Sequence, residues 1–206
     1  METQRIPLFP LDVVLLPGRL LPLHIFEPRY KLMIRECREA GAEFGVVLVR
    51  QEHMASVGCT AEIVQVLQTY DDGSMDIATL GRSACRIHDL HDEKPYLEGT
   101  IEILADDVRP GPAETAAELR ALFDRCYRLL HSASPPAPEE DPGVPLSYRI
   151  SGALPLDLEV LQELLELRVE TERLALLAIR LKELLARWER LSRMRSKAAG
   201  NGHGPV

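Results

Sequence analysis

The sequence predicts an α+β protein in which a strand-rich half comes first and a helical half follows. Three observations carry this. Short apolar runs, broken by Pro and Gly, fill most of residues 1–109. A single stretch among them, opening at Pro28, switches to the helical period. Beyond Arg109-Pro110-Gly111-Pro112 the apolar residues recur three and four apart. The expected division is a β-rich domain over 1–109, a helical bundle over 110–195 with a Pro-rich loop near 132–144, and a disordered tail over 196–206.

The elements follow in order. Ile6-Pro7-Leu8-Phe9 and Leu21-Pro22-Leu23-His24-Ile25-Phe26 are short extended runs whose prolines belong at edges or strand ends. Pro17-Gly18 marks a turn before the second run. Tyr30, Met33, Ile34 and Cys37 form one helical stripe that starts with Pro28 at the first position and stops at Gly41. Phe44 to Val49 is apolar on both faces and reads as a buried central strand. Val57–Tyr70 and Ser74–Gly81 flank Asp71-Asp72-Gly73, a hairpin turn in which Gly supplies positive φ. Cys85–Leu90 reads as a further strand, and Leu97–Ile103 alternates apolar with polar.

In the second half, Leu119, Leu122, Phe123, Cys126, Tyr127 and Leu130 stripe a helix between Ala113 and His131. Ser132–Val144 is rich in Pro, Ala and Glu and is expected to be an exposed, mobile linker. Short helices follow near Leu146–Ser151 and over Leu156–Leu167. The last helix carries Leu174, Leu177, Leu181, Leu184, Trp188 and Leu191 on a heptad-like seam, suited to a bundle or a coiled coil. Arg187, Arg190, Arg193, Arg195 and Lys197 crowd its end, where cations favour a helix carboxyl terminus.

Composition narrows the function. The 206 residues are 46% apolar and 27% charged, which suits one or two globular domains. A net charge of −8 disfavours nucleic acid and anionic membranes as partners. The apolar stretch Ile6–Phe26 contains Asp12, Arg19 and four prolines, which disqualify it as a membrane span. No signal peptide precedes it, and Cys37, Cys59, Cys85 and Cys126 show no metal or disulfide spacing. A cytoplasmic protein with reduced thiols is expected.

Signatures of catalysis are missing. The sequence holds no P-loop, no H-E-x-x-H, no G-x-S-x-G and no dinucleotide fingerprint, so neither a catalytic residue nor a cofactor is assigned. The one cluster suggestive of metal is His88-Asp89-Leu90-His91-Asp92-Glu93. In a regular strand His88 and His91 would point to opposite faces, so no metal site is expected. Cys37 and Cys85 lack a local activating His and read as inert buried thiols.

Several ordered segments resemble the amino-terminal domain family of Lon proteases. They are Pro7-Leu8-Phe9-Pro10-Leu11, Val13 to Gly18, Leu21 to Tyr30, Phe44 to Leu48, Val57 to Ile63, Gly81-Arg82 and Tyr96 to Gly99. Further on come Leu161-Gln162-Glu163-Leu164-Leu165-Glu166 and Glu172-Arg173-Leu174. The resemblance spans about residues 5–192. It implies a PUA-like β pseudo-barrel with an embedded helix, then a helical bundle. It also implies recognition of protein or peptide segments, without the ATPase and Ser-Lys protease modules of full Lon proteases. The expected protein is therefore not an enzyme but a binding module, and an adaptor for unfolded or damaged proteins. Its expected state is a monomer or weak homodimer.

A peptide groove is expected near Pro17, Leu21, Leu23, Phe26 and Tyr30, because this segment holds more apolar residues than two short strands need. Glu27 and Arg29 would form its polar rim. Against this stands a purely structural role in closing the barrel and seating the first helix, with Glu27 and Arg29 as a local ion pair. RNA binding through the PUA-like fold, or a hydrolase with an unrecognised site, are the alternatives from other classes.

Overall fold

The computed structural model describes residues 2–107, 109, 112–131, 133–135 and 143–200, with the side chains of 192 and 195–200 left aside. Five strands close a ring. Strand β1 (Thr3–Leu11) and strand β3 (Phe44–Arg50) lie parallel, with Leu8 opposite Gly45. From β3 the ring continues antiparallel through β5 (Val57–Thr69), β6 (Met75–His91) and β7 (Glu98–Ile103), back to β1. The short β4 (His53–Met54) pairs with the end of β3. Strand β2 (Leu20–Ile25) lies outside the ring and pairs only with the far part of β6.

Helix α1 (Pro28–Ala40) is embedded in this part. Pro28 supplies the fixed φ of a first turn, and Tyr30, Met33, Ile34 and Cys37 are buried. Gly41, at φ 59°, turns the chain out of the helix, and Ala42 N–H returns to the Cys37 carbonyl. The hairpin turn forms as expected, with Gly73 at φ 76°. One expectation changes. Ser74–Gly81 and Cys85–Leu90 are not two strands but one strand of 17 residues. Gly81 reads as punctuation in sequence, yet here it serves close approach: a Cβ on it would lie 2.3 Å from the Leu16 carbonyl oxygen.

Four more helices follow among the described residues: α2 (Ala113–His131), α3 (Leu146–Gly152), α4 (Leu158–Glu166) and α5 (Glu170–Gly200). Leu119, Leu122 and Cys126 of α2 meet Ile150, Leu164, Leu174, Leu177, Leu181 and Leu185 in one apolar core. From the ion pair Glu118–Lys182 to the ion pair Arg125–Glu189 both helices advance seven residues, so α2 and α5 run parallel. The seam on α5 is buried at Leu174, Leu177 and Leu181, and has surfaced by Leu191, which is 46% exposed. Helix α5 continues to Gly200, into the stretch expected as tail, because Lys197, Ala198 and Ala199 are good helix formers. Residues 201–206, and residues 132 and 136–142 of the expected Pro-rich linker, lie outside the described residues.

The two halves share interior. Tyr148 of α3 and Leu165 of α4 sit in the same buried cluster as Phe9, Phe44 and Met33. Gln162 Nε2 donates to the Val57 carbonyl of β5 at 3.0 Å. Asp107 N–H donates to the Arg168 carbonyl at 2.7 Å, and Glu170 N–H to the Asp107 carbonyl at 3.0 Å. Above this joint Arg173 is fully buried, paired with Glu170 at 3.0 Å and Asp106 at 3.1 Å, and donating to Tyr148 Oη at 3.1 Å. The segment Glu172-Arg173-Leu174 thus closes the joint between the halves.

Candidate functional site

Beyond the ring, β2 and the far parts of β6 and β5 form a three-stranded arm over α1. The direction of each β2 residue follows from one bond: Gly81 N–H donates to the Arg19 carbonyl at 2.9 Å. Antiparallel pairs alternate between bonded and non-bonded. From Arg19 onward, odd residues therefore face β6 with their backbone groups, while Leu20, Pro22 and His24 turn theirs to the free edge. Pro22, opposite Ala78, costs the ladder nothing there, and it removes a donor from that edge. The edge of β5 is also blunted, since its register with β6 shifts between Ile63 and Gln65 and between Val66 and Gln68.

Side chains of β2 alternate accordingly. Ile25 is buried and Leu21 and Leu23 are partly buried against the main core, while Leu20, Pro22 and His24 face outward. Leu20 is 63% exposed and Phe26 60%. Across the arm, the residues inserted at the two bulges of β5 are Val64 and Leu67, 43% and 54% exposed. Between them runs a groove of about 410 Å³ lined by Pro22, Leu23, His24, Leu67, Gln68, Asp76 and Ile77.

One wall of the groove is polar. His24 Nδ1 lies 2.6 Å from Asp76 Oδ1, and the Tyr70 hydroxyl donates to Asp76 Oδ2 at 2.7 Å. The Tyr70 hydroxyl first, then His24, hold the Asp76 carboxyl below its ordinary pKa, so it stays an anion. The His24 ring stacks on Phe26 at 5.9 Å and meets the edge of Tyr70 at 5.8 Å.

The residues expected to line a groove separate in space. Phe26 is on the outer surface and Leu23 lines the groove. Leu21 points to the core, and Pro17 is half-buried in the turn that Gly18 N–H ties to Gly81. Tyr30 is only 8% exposed, its ring 4.2 Å from that of Phe9. Glu27 and Arg29 pair with each other at 2.8 Å at the start of α1. Val64, Leu67, Tyr70 and Asp76 went unnoticed in sequence. A signal existed, because Ile63-Val64 and Val66-Leu67 are apolar doublets that break strand alternation, as a bulge does.

His88 and His91 do not point to opposite faces, as a regular strand would have them. A bulge between Ile87 and Asp89 puts both rings on the same face, His88 near Glu102 at 3.0 Å and His91 near Thr100 at 2.8 Å. Even so, no group of three or more His, Cys, Asp or Glu among the described residues is placed to hold a metal. All four thiols are free and buried, and burial pushes Cys37 and Cys126 up to about 11 and Cys85 to about 12. No helix among the described residues is long and apolar enough to cross a membrane.

The chain is thus a mixed α/β protein with a closed strand ring and an arm that bears a groove on its outer face. The family model of the ATP-dependent protease La (LON) substrate-binding domain matches residues 5–183, and the chain belongs to that family. A Lon protease of Parabacteroides distasonis is 31% identical over 144 residues, 64% of this chain and 17% of the relative. Cereblon of Danio rerio is 26% identical over 144 residues, 66% of this chain and 33% of the relative. The chain thus spans a third or less of these relatives. Among solved structures, a Lon N-terminal domain protein from Xanthomonas campestris aligns with TM-score 0.66 and 26% identity, over 84% of this chain and 95% of that one. The N-terminal domain of the Mycobacterium avium complex Lon protease aligns with TM-score 0.63 and 17% identity, over 87% and 98%, a likeness of fold alone.

Proposed function

We propose that this protein is a non-catalytic recognition module that holds extended apolar segments of unfolded polypeptide on the outer face of the arm, acting as an adaptor for unfolded or damaged proteins. The exposure of Leu20, Phe26, Val64 and Leu67 on one arm, with Leu67 lining its groove, carries this reading, since a face of that kind gains by being covered. Of the residues expected in sequence, Phe26 and Leu23 belong to the proposed site, with Glu27 and Arg29 beside it. Pro17, Leu21 and Tyr30 hold the arm in place. Both edges of the arm are blunted, so the segment lies across the face and does not extend the sheet as an added strand. The strand ring with its embedded helix supports a PUA-like pseudo-barrel, and four unpaired thiols support a reducing, cytoplasmic setting.

The test is capture of a carboxymethylated, permanently unfolded model protein by the intact chain. Leu67→Asp and Phe26→Asp should each weaken capture about ten-fold, the equivalent of one large apolar contact, with circular dichroism unchanged. Leu191→Asp, on α5, should leave capture as it was. Equal capture by all three variants would remove the groove from consideration, and steady turnover of ATP or casein by the purified chain would overturn the non-catalytic part.

A further inference from the structure

The groove is apolar except at the wall formed by Asp76. From Glu62 to Leu80 the arm carries Glu62, Asp71, Asp72 and Asp76 and no Lys or Arg. Two of these carboxylates have cations: Glu62 has Arg82, and Asp72 has Lys31. Asp76 has His24 as its ion-pair neighbour, and among the described residues no Lys or Arg reaches it. Each of its oxygens is engaged once, by His24 and by Tyr70, which leaves lone-pair directions free on both. Covering this carboxylate with a purely apolar occupant would strip its water and return nothing. An occupant that brings a cation to the same spot offsets that cost.

We infer that the groove selects extended, unfolded segments in which apolar residues flank a Lys or Arg that lies over Asp76. This rests on the reading of the groove as a polypeptide site. The apolar residues would lie against Leu67, Pro22 and Phe26, and the cation against the wall that His24 and Tyr70 hold in place. The ring of Phe26 stacks on His24 and the edge of Tyr70 meets it, so two aromatic rings flank the imidazole beside the carboxylate. Segments with Glu at the central position meet a like charge and are rejected.

The experiment titrates the intact protein into three labelled peptides of about seven residues, long enough to cross three strands about 4.8 Å apart. They share alternating apolar residues and differ in a central Arg, Gln or Glu, and fluorescence anisotropy gives each Kd. The Arg peptide should bind about five-fold tighter than the Gln peptide, with the Glu peptide weakest, and the spread should shrink as salt rises. Asp76→Asn, an isostere able to keep its bonds to His24 and Tyr70, should bring the Arg and Gln peptides together, with its melting temperature checking the fold. Equal affinity of the three peptides for the natural protein, or an Arg preference that survives in Asp76→Asn, would overturn the inference while leaving an apolar site. Failure of all three to bind, or a Gln peptide indifferent to Leu67→Asp, would instead bring down the polypeptide site itself.

Discussion

Phe26 and Tyr30 stand four residues apart, both aromatic, each two residues from Pro28, and the fold uses them in opposite ways. Tyr30 is on the buried stripe of α1, against Phe9, with the Arg29 guanidinium 4.6 Å from the centre of its ring. Phe26 falls in the step between β2 and α1, where no element covers it. Replacing a buried aromatic leaves a cavity as well as losing transfer energy. Tyr30→Ala should therefore cost about 3 kcal/mol of stability, and Phe26→Ala about 0.5 kcal/mol or less, both read from urea midpoints. A large loss from Phe26→Ala would mean that the ring is covered in solution. Composition and spacing could name both residues as apolar. Only the packing of α1 against β1 says which one is available to a partner.

At the scale of elements, the arm and α5 teach the same lesson from two sides. Period-3.6 spacing locates α5 and its seam, but which part of the seam is covered depends on the elements packed against it. Leu181 is fully buried in the helical core, whereas Leu191 is 46% exposed. Leu181→Asp should abolish cooperative folding, because a carboxylate would be buried with no partner, a cost of several kcal/mol at about the size of the whole stability. Leu191→Asp should shift the urea midpoint little and leave circular dichroism intact. If Leu191→Asp also unfolded the chain, or changed its mass by light scattering, the exposed end of the seam would be covered by a second copy. In the arm, the strands were legible from β-branched runs and a turn glycine. The bulges that expose Val64 and Leu67 depend on register with β6.

The whole molecule is bound at one joint. Arg173 links Glu170 and Asp106, and Asp107 carries backbone bonds from one half to the other, while Tyr148 and Leu165 enter the core of the first half. Removing the cation would leave the buried Glu170 carboxylate without its ion-pair partner. Arg173→Met should cost about 3 kcal/mol or more and should lower the unfolding midpoint of both halves together. The single tryptophan, Trp188, reports the helical half by fluorescence, and far-ultraviolet circular dichroism reports the average of both. Divergent midpoints from the two probes would show halves that unfold separately and would demote the joint to a local contact.

By itself the sequence determined the order of strands and helices, the capped limits of α1, the buried stripe of α2 and α5, and membership in the Lon substrate-binding family, because periodicity, turn chemistry and ordered motifs are local in the chain. The tertiary structure decided the rest. Ring closure between β1 and β3, the course of β6 through Gly81, the shared face of His88 and His91, and the groove between Leu67 and Pro22 all depend on register between strands distant in sequence. A shift of one residue in that register moves a side chain to the other face of the sheet.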